Sequence, residues 1–492
     1  MTSSPEYRIA EHAEGRQTYQ RVGLVLGPAL AALLFVLPAP DALTPEAWSV
    51  VAVAAWMATW WATEAIPVPA TSLLPLVLLP LLGVMGVREA AAPYASPVIF
   101  LLLGGFIIAM GIQRWNLHRR IALHILLAFG RHPSALVGGF MLAAALLSMW
   151  VSNTATTLML LPIALSVAEQ VLGKGSARHP FTICLILGVA YAASIGGLGT
   201  IIGTPPNAFV VQLVADTQGI DISFLEWMAF GIPIVALMLP MTWYVLTHWV
   251  FRFAPEDVVG GDAVVRRELE AMGPITTPEI RTAAVFAVAA VSWMSLLLLR
   301  KIPGLEALSN MGIAVMGAVA MFLVPSGSKS EPGSFLLDWD AAVKLPWGVV
   351  LLFGGGLSLA AAIQATGLAV WLGDSLSVLT TFHMVVIIGA LVALIIFLTE
   401  LTSNTATVAA IVPVLAAIAG AADFAPILLA APAAMAGSSA FMLPVATAPN
   451  AIVFATGHVT IPQMVKAGFR LNLIGIAVIT LVCFTLVPRI FG

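Results

Sequence analysis

The chain has 492 residues, of which 60% are hydrophobic and 9% are charged, and its mean hydropathy is +1.02. Soluble proteins carry roughly 25% charged residues, so this composition excludes an ordinary water-soluble enzyme and predicts a membrane protein. At about 20 residues per crossing, the length allows roughly a dozen spans. The formal net charge of −3 provides no basic surface for a nucleic acid. Cys184 and Cys483 both lie in apolar stretches, which argues against disulfides and against a cysteine metal site.

The N-terminal segment 1–21 is polar and an apolar run follows it. No small-x-small cleavage site ends that run and further apolar segments come directly after it. We therefore interpret residues 22–46 as the first transmembrane helix, with a cytoplasmic N-terminus, and not as a signal peptide. Further spans are predicted at 47–66, 68–87, 97–113, 181–201, 226–250, 281–299, 308–324, 346–364, 426–456 and 471–488.

Two other apolar stretches, 133–170 and 383–420, are each too long for one crossing and break near the middle. We interpret each as a re-entrant hairpin that enters and leaves the membrane on one side. With this topology the lysines and arginines fall on the cytoplasmic side of an inner (plasma) membrane, as the positive-inside rule requires. The exceptions are Arg88, Arg300, Lys301 and Arg489.

The chain contains an internal repeat. The segment 152–156, Ser-Asn-Thr-Ala-Thr, recurs with the same sequence at 403–407, which is 251 residues later. The same offset relates other glycine, glutamine and proline positions, and the Thr-Pro-Pro-Asn-Ala of 204–208 returns as Thr-Ala-Pro-Asn-Ala at 447–451 with an offset of 243. Several matches in one order indicate duplication rather than chance.

Each copy of the repeat has five predicted crossings, and an odd number inverts the second copy relative to the first. We therefore predict an all-α polytopic membrane protein with about 11 transmembrane helices and two re-entrant hairpins. The first repeat would occupy 47–251, a cytoplasmic linker 252–281 and the second repeat 282–492. Inverted repeats are typical of secondary transporters, which bind substrate near the membrane midplane. Within the linker, residues 264–270 predict a short amphipathic helix, although a solvated connector is the simpler interpretation.

Two motifs in each repeat combine polar groups with broken helices. Serine, asparagine and threonine favour caps and turns, so each Ser-Asn-Thr predicts a hairpin tip whose free N–H groups face an anion and whose oxygens suit Na⁺. The glycine- and proline-rich segments 195–207 and 444–450 cannot form straight helices. For a single copy, helix–helix hydrogen bonds or a simple kink would explain each motif, but two copies favour a binding site. Neither motif contains lysine, arginine or histidine, so co-bound Na⁺ would have to balance an anion.

The sequence offers little support for an enzyme. It lacks the His-Glu-x-x-His, Walker and Gly-x-Ser-x-Gly motifs, and its histidines are scattered. Of the carboxylates, Glu64 at a membrane end is expected to cap or pair helices. Glu400, two residues before Thr402, either tunes the second tip electrostatically or lies at the membrane interface.

These motifs resemble the divalent anion/Na⁺ symporter family, the family of INDY-like dicarboxylate transporters. The resemblance rests on both tips, the Thr-Pro-Pro-Asn break, the Thr-Glu-Ala-Ile-Pro of 63–67 and the Leu-Pro-Val-Ala-Thr of 443–447, and it covers nearly the whole chain from about residue 20. It implies a homodimer whose protomers each contain a scaffold domain and a transport domain. It also implies an elevator-type movement, with one hairpin opening to each side of the membrane.

The resemblance further implies two sodium ions and a shared substrate site. The ligands of the first ion would be Ser148, Ser152, Asn153 and the backbone of Gly203. Those of the second would be Thr399, Thr402, Asn404 and the backbone of Ala446. Substrate carboxylates would contact Asn153, Thr154, Asn404 and Thr405, with Thr204 and Thr447 close by. The repeat offsets independently relate Ser148 to Thr399 and Gly203 to Ala446.

The expected function is Na⁺-coupled symport of C4 dicarboxylates such as succinate, malate or fumarate. A carrier or exchanger for citrate, sulfate or arsenite is an alternative, because Ala448 replaces the proline that the family commonly has. Some exchangers of the family carry a cationic side chain near the site, and its absence from these motifs favours symport. An anion channel is a further alternative, although the sequence contains no filter or ring of like charges.

Overall fold

A computed structural model describes residues 17–40, 42–129, 132–173, 178–253, 261–375, 382–421 and 425–491. Most of the predicted N-terminal segment and part of the linker therefore lie outside the described residues. The described secondary structure is helical apart from one isolated antiparallel bridge between Pro325 and Phe335. Seven of the described helical segments are long and apolar enough to cross a membrane, and several shorter apolar helices accompany them. The described part of the chain therefore has the helical architecture of a polytopic membrane protein.

The described residues of the first half form twelve α-helices, followed by a π-helical turn at Val245–Val250. In chain order they are α1 (Thr18–Val36), α2 (Pro45–Thr63), α3 (Val68–Thr71), α4 (Leu74–Leu81), α5 (Val87–Ala91), α6 (Pro97–Arg114), α7 (Leu117–Ala128), α8 (Pro133–Ser148), α9 (Asn153–Leu172), α10 (Pro180–Gly197), α11 (Pro205–Gln218) and α12 (Phe224–Tyr244). Proline begins several of them, because its missing N–H is not needed in the first helical turn. The predicted span 68–87 is not one helix, since the chain breaks between α3 and α4.

The linker and the second half contain the remaining α-helices. They are α13 (Gly261–Met272), α14 (Thr277–Met294), α15 (Leu296–Leu299), α16 (Asn310–Leu323), α17 (Trp339–Ala342), α18 (Trp347–Ala365), α19 (Leu368–Ser375), α20 (Met384–Thr399), α21 (Asn404–Ala421), α22 (Ile427–Gly437), α23 (Ala448–Ala455) and α24 (Ile461–Phe491). The predicted span 426–456 is interrupted, since α22 and α23 are separated by an irregular segment with one 3₁₀ turn.

The helix boundaries follow the sequence repeat. Helices α8 and α20 each have 16 residues, and they end at Ser148 and Thr399, which differ by the offset of 251. Helices α9 and α21 begin at Asn153 and Asn404, again 251 residues apart. Helices α11 and α23 begin 243 residues apart. The repeated sequence therefore encodes repeated helix ends, and both motifs lie where helices begin.

Helix α10 forms the centre of the packed interior. All its residues from Phe181 to Gly197 are buried, and it packs against α8, α9, α12 and α23. Its Tyr191 ring lies edge-to-face on Phe441 of the second half, with ring centroids 5.4 Å apart. A helix that is apolar on every side is expected only where protein surrounds it. The polar segment that follows α10 is therefore embedded in protein.

The linker helix α13 is docked to the helical body. Val265 is fully buried, and α13 contacts α7 and α9. An ion pair joins Glu268 of α13 to Arg119 of α7. The solvated connector considered above therefore does not describe this segment.

Next to the docked linker, Arg120 of α7 forms a buried ion pair with Glu279, at 2.6 Å. The carboxylate of Glu279 also accepts hydrogen bonds from the N–H and hydroxyl of Thr276, which caps α14. The guanidinium of Arg120 donates in addition to the carbonyl oxygen of Gly273 at 3.0 Å. These contacts tie helix α7 to the start of the second half.

Asp338 forms a third, more exposed charged contact, with Arg114 of α6. The N–H of Ala341 and the guanidinium of Arg114 hold the pKa of the Asp338 carboxyl below its usual range. The N–H contact measures 2.8 Å and makes Asp338 the N-cap of α17. Stabilisation of the ionised carboxylate makes this contact sensitive to acid.

Candidate functional site

The first hairpin tip lies between α8 and α9. Ser148, the last residue of α8, is fully buried, and its hydroxyl donates a hydrogen bond to Oδ1 of Asn153, the first residue of α9. Ser152 is the N-cap of α9 and is exposed, and its Oγ accepts a hydrogen bond from the N–H of Ala155 at 3.2 Å. Thr154 follows in the first helical turn and is half-buried. The structure therefore brings Ser148 and Asn153 together, while the Ser152 oxygen caps its own helix through one of its two lone pairs.

The first break lies between α10 and α11 and is closed by one amide. Nδ2 of Asn207 donates to the carbonyl oxygens of Gly197 at 3.0 Å and Thr200 at 2.8 Å. Asn207 is fully buried, and its Oδ1 has no hydrogen-bond partner among the described residues. Buried amide groups are expected to be paired, so this oxygen is an acceptor available to a ligand or water.

The first tip and the first break meet at Gly197. A Cβ atom on Gly197 would lie 3.0 Å from Oδ1 of Asn153 and 3.0 Å from the carbonyl oxygen of Gly203. The hydroxyl of Thr200 also donates to the carbonyl oxygen of Met149 in the tip, at 2.5 Å. A hydroxyl, an amide oxygen and a carbonyl oxygen thus lie within one small region, and such oxygens are the ligands that hard cations prefer. Sequence reasoning missed Gly197, although its place in a glycine-rich run was a signal for close backbone approach.

The second tip lies between α20 and α21 and has different contacts. Thr399 is fully buried, and its hydroxyl donates to the carbonyl oxygen of Ile396 at 3.1 Å. The hydroxyl of Thr402 donates to Leu398 O at 2.8 Å and lies 2.7 Å from the hydroxyl of Thr407.

Asn404 begins α21, and its buried Oδ1 is without a hydrogen-bond partner in the described part of the chain. Thr405 follows it and is half-buried. Within the described ranges, no hydrogen bond joins Thr399, Thr402 or Asn404 to Ala446. The second tip therefore offers an unsatisfied amide oxygen but less mutual contact than the first.

The second break repeats the asparagine contacts of the first. Nδ2 of Asn450 donates to the carbonyl oxygens of Ala440 at 3.3 Å and Leu443 at 3.1 Å. These two acceptors lie 243 residues after the acceptors of Asn207, which is the offset of the motif itself. Asn450 is also fully buried, and its Oδ1 is unpaired within the described ranges. The repeat is therefore conserved within this chain at the level of individual hydrogen bonds.

Although Ala448 replaces a proline, the backbone directly before it has the same conformation as in the first break. Thr204 has backbone angles φ −139° and ψ 146°, and Thr447 has φ −143° and ψ 152°. The hydroxyl of Thr447 accepts a hydrogen bond from the N–H of Asn450 at 3.2 Å and so caps α23. The cap and Pro449 fix the start of this helix without a second proline.

The two halves interlock at these segments. The hydroxyl of Ser438, in the second half, donates to Oγ1 of Thr204 at 3.1 Å, and both residues are buried. Helix α23 packs against α9 and α10, while α11 packs against α21 and α22. Each break thus lies against the hairpin of the other half, and both Ser-Asn-Thr motifs border one polar region.

The two carboxylates singled out above have different environments. Glu64 ends α2 with a left-handed backbone (φ 46°), and its carbonyl oxygen accepts a hydrogen bond from Gln20 of α1 at 3.3 Å. This contact is made by the backbone of Glu64, so the role expected for its carboxylate stays a prediction. Glu400 is 4% exposed and its carboxylate accepts hydrogen bonds from the segment before the second break. The carboxylate of Glu400 is therefore enclosed by protein at the second tip, and its depth relative to the membrane interface stays a prediction.

Comparison with known proteins decides the family. Residues 19–488 match the family described as the sodium:sulfate symporter transmembrane region. The chain belongs to this family. The family is the one that the motifs predict, and membership makes the chain a multi-pass membrane transporter and not an enzyme.

Curated relatives of this symporter are known in staphylococci. The sodium-dependent dicarboxylate transporter SdcS of Staphylococcus saprophyticus is 42% identical over 480 residues, covering 96% of this chain and 92% of the relative. SdcS of Staphylococcus aureus strain MRSA252 is 40% identical over 482 residues, with the same coverage of both chains.

Two solved transporters share the fold of this symporter. The YdaH transporter of Alcanivorax borkumensis superimposes with a TM-score of 0.58 and 14% identity over 96% of this chain and 97% of its own. MtrF of Neisseria gonorrhoeae, described within a class of antimetabolite efflux pumps, gives a TM-score of 0.58 and 13% identity over 95% of this chain and 94% of its own. At these identities the likeness concerns the fold alone.

Proposed function

We propose that this chain is a secondary active transporter that carries C4 dicarboxylates into the cell together with Na⁺. The observation that carries the proposal is the pair of polar breaks, each bridged by one asparagine through two matching hydrogen bonds, beside tips that contain oxygen ligands. Membership in a symporter family and full-length similarity to sodium-dependent dicarboxylate transporters support it.

In this proposal the two tips and the two breaks form two Na⁺ sites and one substrate site. The first Na⁺ is held by Ser148, Ser152, Asn153 and the Gly203 carbonyl, and the second by Thr399, Thr402, Asn404 and the Ala446 carbonyl. The substrate carboxylates are bound by Asn153, Thr154, Thr204, Asn404, Thr405 and Thr447. Contact of Ser148 with Asn153 and the unpaired amide oxygen of Asn404 support these assignments.

Charge balance gives the coupling its physical reason. A dicarboxylate carries two negative charges, and neither the tips nor the breaks contain a lysine, arginine or histidine. The N-termini of α9 and α21 supply partial positive charge, and each bound Na⁺ ion supplies one full positive charge. Substrate and Na⁺ therefore stabilise each other's binding. Each further Na⁺ would add roughly 2.3 kcal/mol of driving force per 100 mV of membrane potential.

The proposed architecture is an inverted repeat with about 11 transmembrane helices and two re-entrant hairpins, in which scaffold and transport domains move relative to each other. The repeats occupy 47–251 and 282–492, joined by the cytoplasmic linker 252–281. We place the N-terminus in the cytoplasm and infer a homodimer in the inner membrane. The hydrogen bond between Ser438 and Thr204 supports an elevator-type movement in which both half-sites travel together.

Uptake by reconstituted protein tests the proposal. Proteoliposomes containing the chain should accumulate labelled succinate when an inward Na⁺ gradient is present and should not do so when choline replaces Na⁺. Asn153→Ala and Asn404→Ala should each abolish uptake. Uptake that is indifferent to the cation would contradict symport, and an active double variant would contradict the site. Because the family description includes sulfate, labelled sulfate and unlabelled competitors distinguish a dicarboxylate carrier from a sulfate carrier.

A further inference from the structure

Glu400 holds the second tip against the second break. It follows Thr399 directly, at the end of α20. Its Oε1 accepts hydrogen bonds from the backbone N–H groups of Phe441 at 2.8 Å and Met442 at 2.9 Å. Its Oε2 accepts from Met442 at 3.1 Å and Leu443 at 3.0 Å. Three successive N–H groups of the unwound segment therefore surround one carboxylate, in the manner of a backbone anion nest.

The other contact of this carboxylate is also neutral. Nδ2 of Asn472, a fully buried residue of α24, donates to Oε1 of Glu400 at 2.7 Å. Within the described ranges no lysine, arginine or histidine forms an ion pair with Glu400. Each of these described contacts is a hydrogen bond donated to an oxygen of the carboxylate. The group is thus held by dipoles, and its formal negative charge is not cancelled by a side chain.

At the equivalent place in the first half, the contact between the tip and the break is made without a charged side chain. The residue 251 positions before Glu400 is Met149, whose carbonyl oxygen accepts from the hydroxyl of Thr200. The N–H groups of Leu198 and Gly199 are already bonded to the preceding helical turn, at 3.1 and 3.0 Å. The first half therefore has neither a nest of free N–H groups nor an acidic side chain at this place, and the two half-sites differ by one fixed negative charge.

We propose that Glu400 is a positioning residue that makes the second Na⁺ site the tighter of the two. The inference rests on the function proposed above. Glu400 is covalently adjacent to Thr399, and its contacts fix the segment that leads to Ala446. A negative charge in a poorly solvated interior attracts a cation over several ångströms, so this half of the transporter is expected to fill with Na⁺ first.

Sodium titration of purified variants tests this role. The thermal stability of the chain in detergent is followed as NaCl replaces choline chloride at constant ionic strength, since an ion that binds the folded state raises its stability. Glu400→Gln should raise the Na⁺ concentration for half-maximal stabilisation about tenfold. The matched control is Met149→Leu at the equivalent place, which should leave this concentration within twofold. If Glu400→Gln lowers the melting temperature but leaves the Na⁺ half-saturation unchanged, the residue is only structural and the inference is wrong.

Single-ligand variants keep the inference testable if Glu400→Gln does not fold. With Glu400 in place, Thr399→Ala should raise the Na⁺ half-saturation more than Ser148→Ala does, because it damages the tighter site. The opposite order would overturn the inference. If neither the thermal stability nor the succinate uptake of the wild-type chain changes with Na⁺, the proposed function is wrong as well. A wild-type chain that responds to Na⁺ while Glu400→Gln behaves in the same way overturns the role of Glu400 alone.

Discussion

Adding one methyl group at Gly203 should open the first break. A Cβ atom there would lie 2.9 Å from both the carbonyl carbon and the Cα of Gly197, and closer still to its carbonyl oxygen. These are backbone atoms, so no side chain can turn aside. The same carbonyl oxygen accepts the amide of Asn207 at 3.0 Å. Gly203→Ala must therefore move the backbone at Gly203 away from the backbone at Gly197.

The cost can be estimated from these contacts. Overpacking a close-packed interior destabilises by about 1–3 kcal/mol. Weakening the hydrogen bond from Asn207 to Gly197 adds about 0.5–1.5 kcal/mol. We therefore expect Gly203→Ala to destabilise the chain by about 2–4 kcal/mol. Because the Gly203 carbonyl is a proposed ligand of the first Na⁺, the variant should also respond less to Na⁺.

Gly389→Ala is the matched control. Gly389 lies within α20, and the atom nearest to an added Cβ is Cγ2 of Thr480 at 3.6 Å, an ordinary contact. Replacing a helical glycine by alanine should stabilise the chain by about 0.5–1 kcal/mol through a less flexible unfolded state. Thermal unfolding in detergent, with and without Na⁺, measures both variants. A Gly203→Ala protein as stable as wild type would refute the close-approach argument, and equal losses in both variants would show that any added methyl group is harmful.

Three further predictions concern other contacts. Asn207→Ala and Asn450→Ala should each lower the thermal stability by about 1–3 kcal/mol, because each removes two buried hydrogen bonds. Arg120→Ala should cost about 3 kcal/mol by leaving a buried carboxylate unpaired, whereas Arg119→Ala, at a more exposed pair, should cost less than about 1 kcal/mol. Folding lowers the pKa of the Asp338 carboxyl. The stability that the ionised carboxylate contributes to the fold is therefore complete above about pH 4, and it is lost as the pH falls through the folded-state pKa. Asp338→Asn should flatten that acid-side decline, by less than about 1 kcal/mol since the group is exposed.

The same unfolding measurements can contradict each of these. A large effect of Asn207→Ala with none for Asn450→Ala would show that the two breaks are not energetically equivalent. Equal losses for the two arginine variants would show that burial does not decide the strength of these ion pairs. An Asp338→Asn protein that keeps the full decline in acid would assign that decline to other carboxyl groups.

Local sequence patterns predicted the tips and breaks well because those features depend on nearby residues. Ser-Asn-Thr motifs place helix starts at Asn153 and Asn404, and the glycine-rich run ends α10. Helix α22 ends at Gly437, before the predicted break 444–450 begins, so its end was not predicted. The break between α3 and α4 was missed, although Thr71, Ser72 and the following Pro75 are local signals for the end of one helix and the start of the next. The partners of Glu400 were also beyond sequence reasoning, since they lie 41 to 72 positions away along the chain. Contacts of that kind depend on how helices pack and not on periodicity.

The interlocked halves have a consequence for biosynthesis. The ribosome synthesises α1–α12 before α20–α23. The hydroxyl of Thr204 therefore has no hydrogen bond from Ser438 until the second half has been translated. Likewise, α11 cannot pack against α21 and α22 until those helices have been synthesised. If only the first half were expressed, its polar, broken helix would lie in the bilayer without the helices of the second half that pack against it. Folding of the polar centre is therefore completed only after most of the chain has been translated, although each half carries its own copy of the motifs.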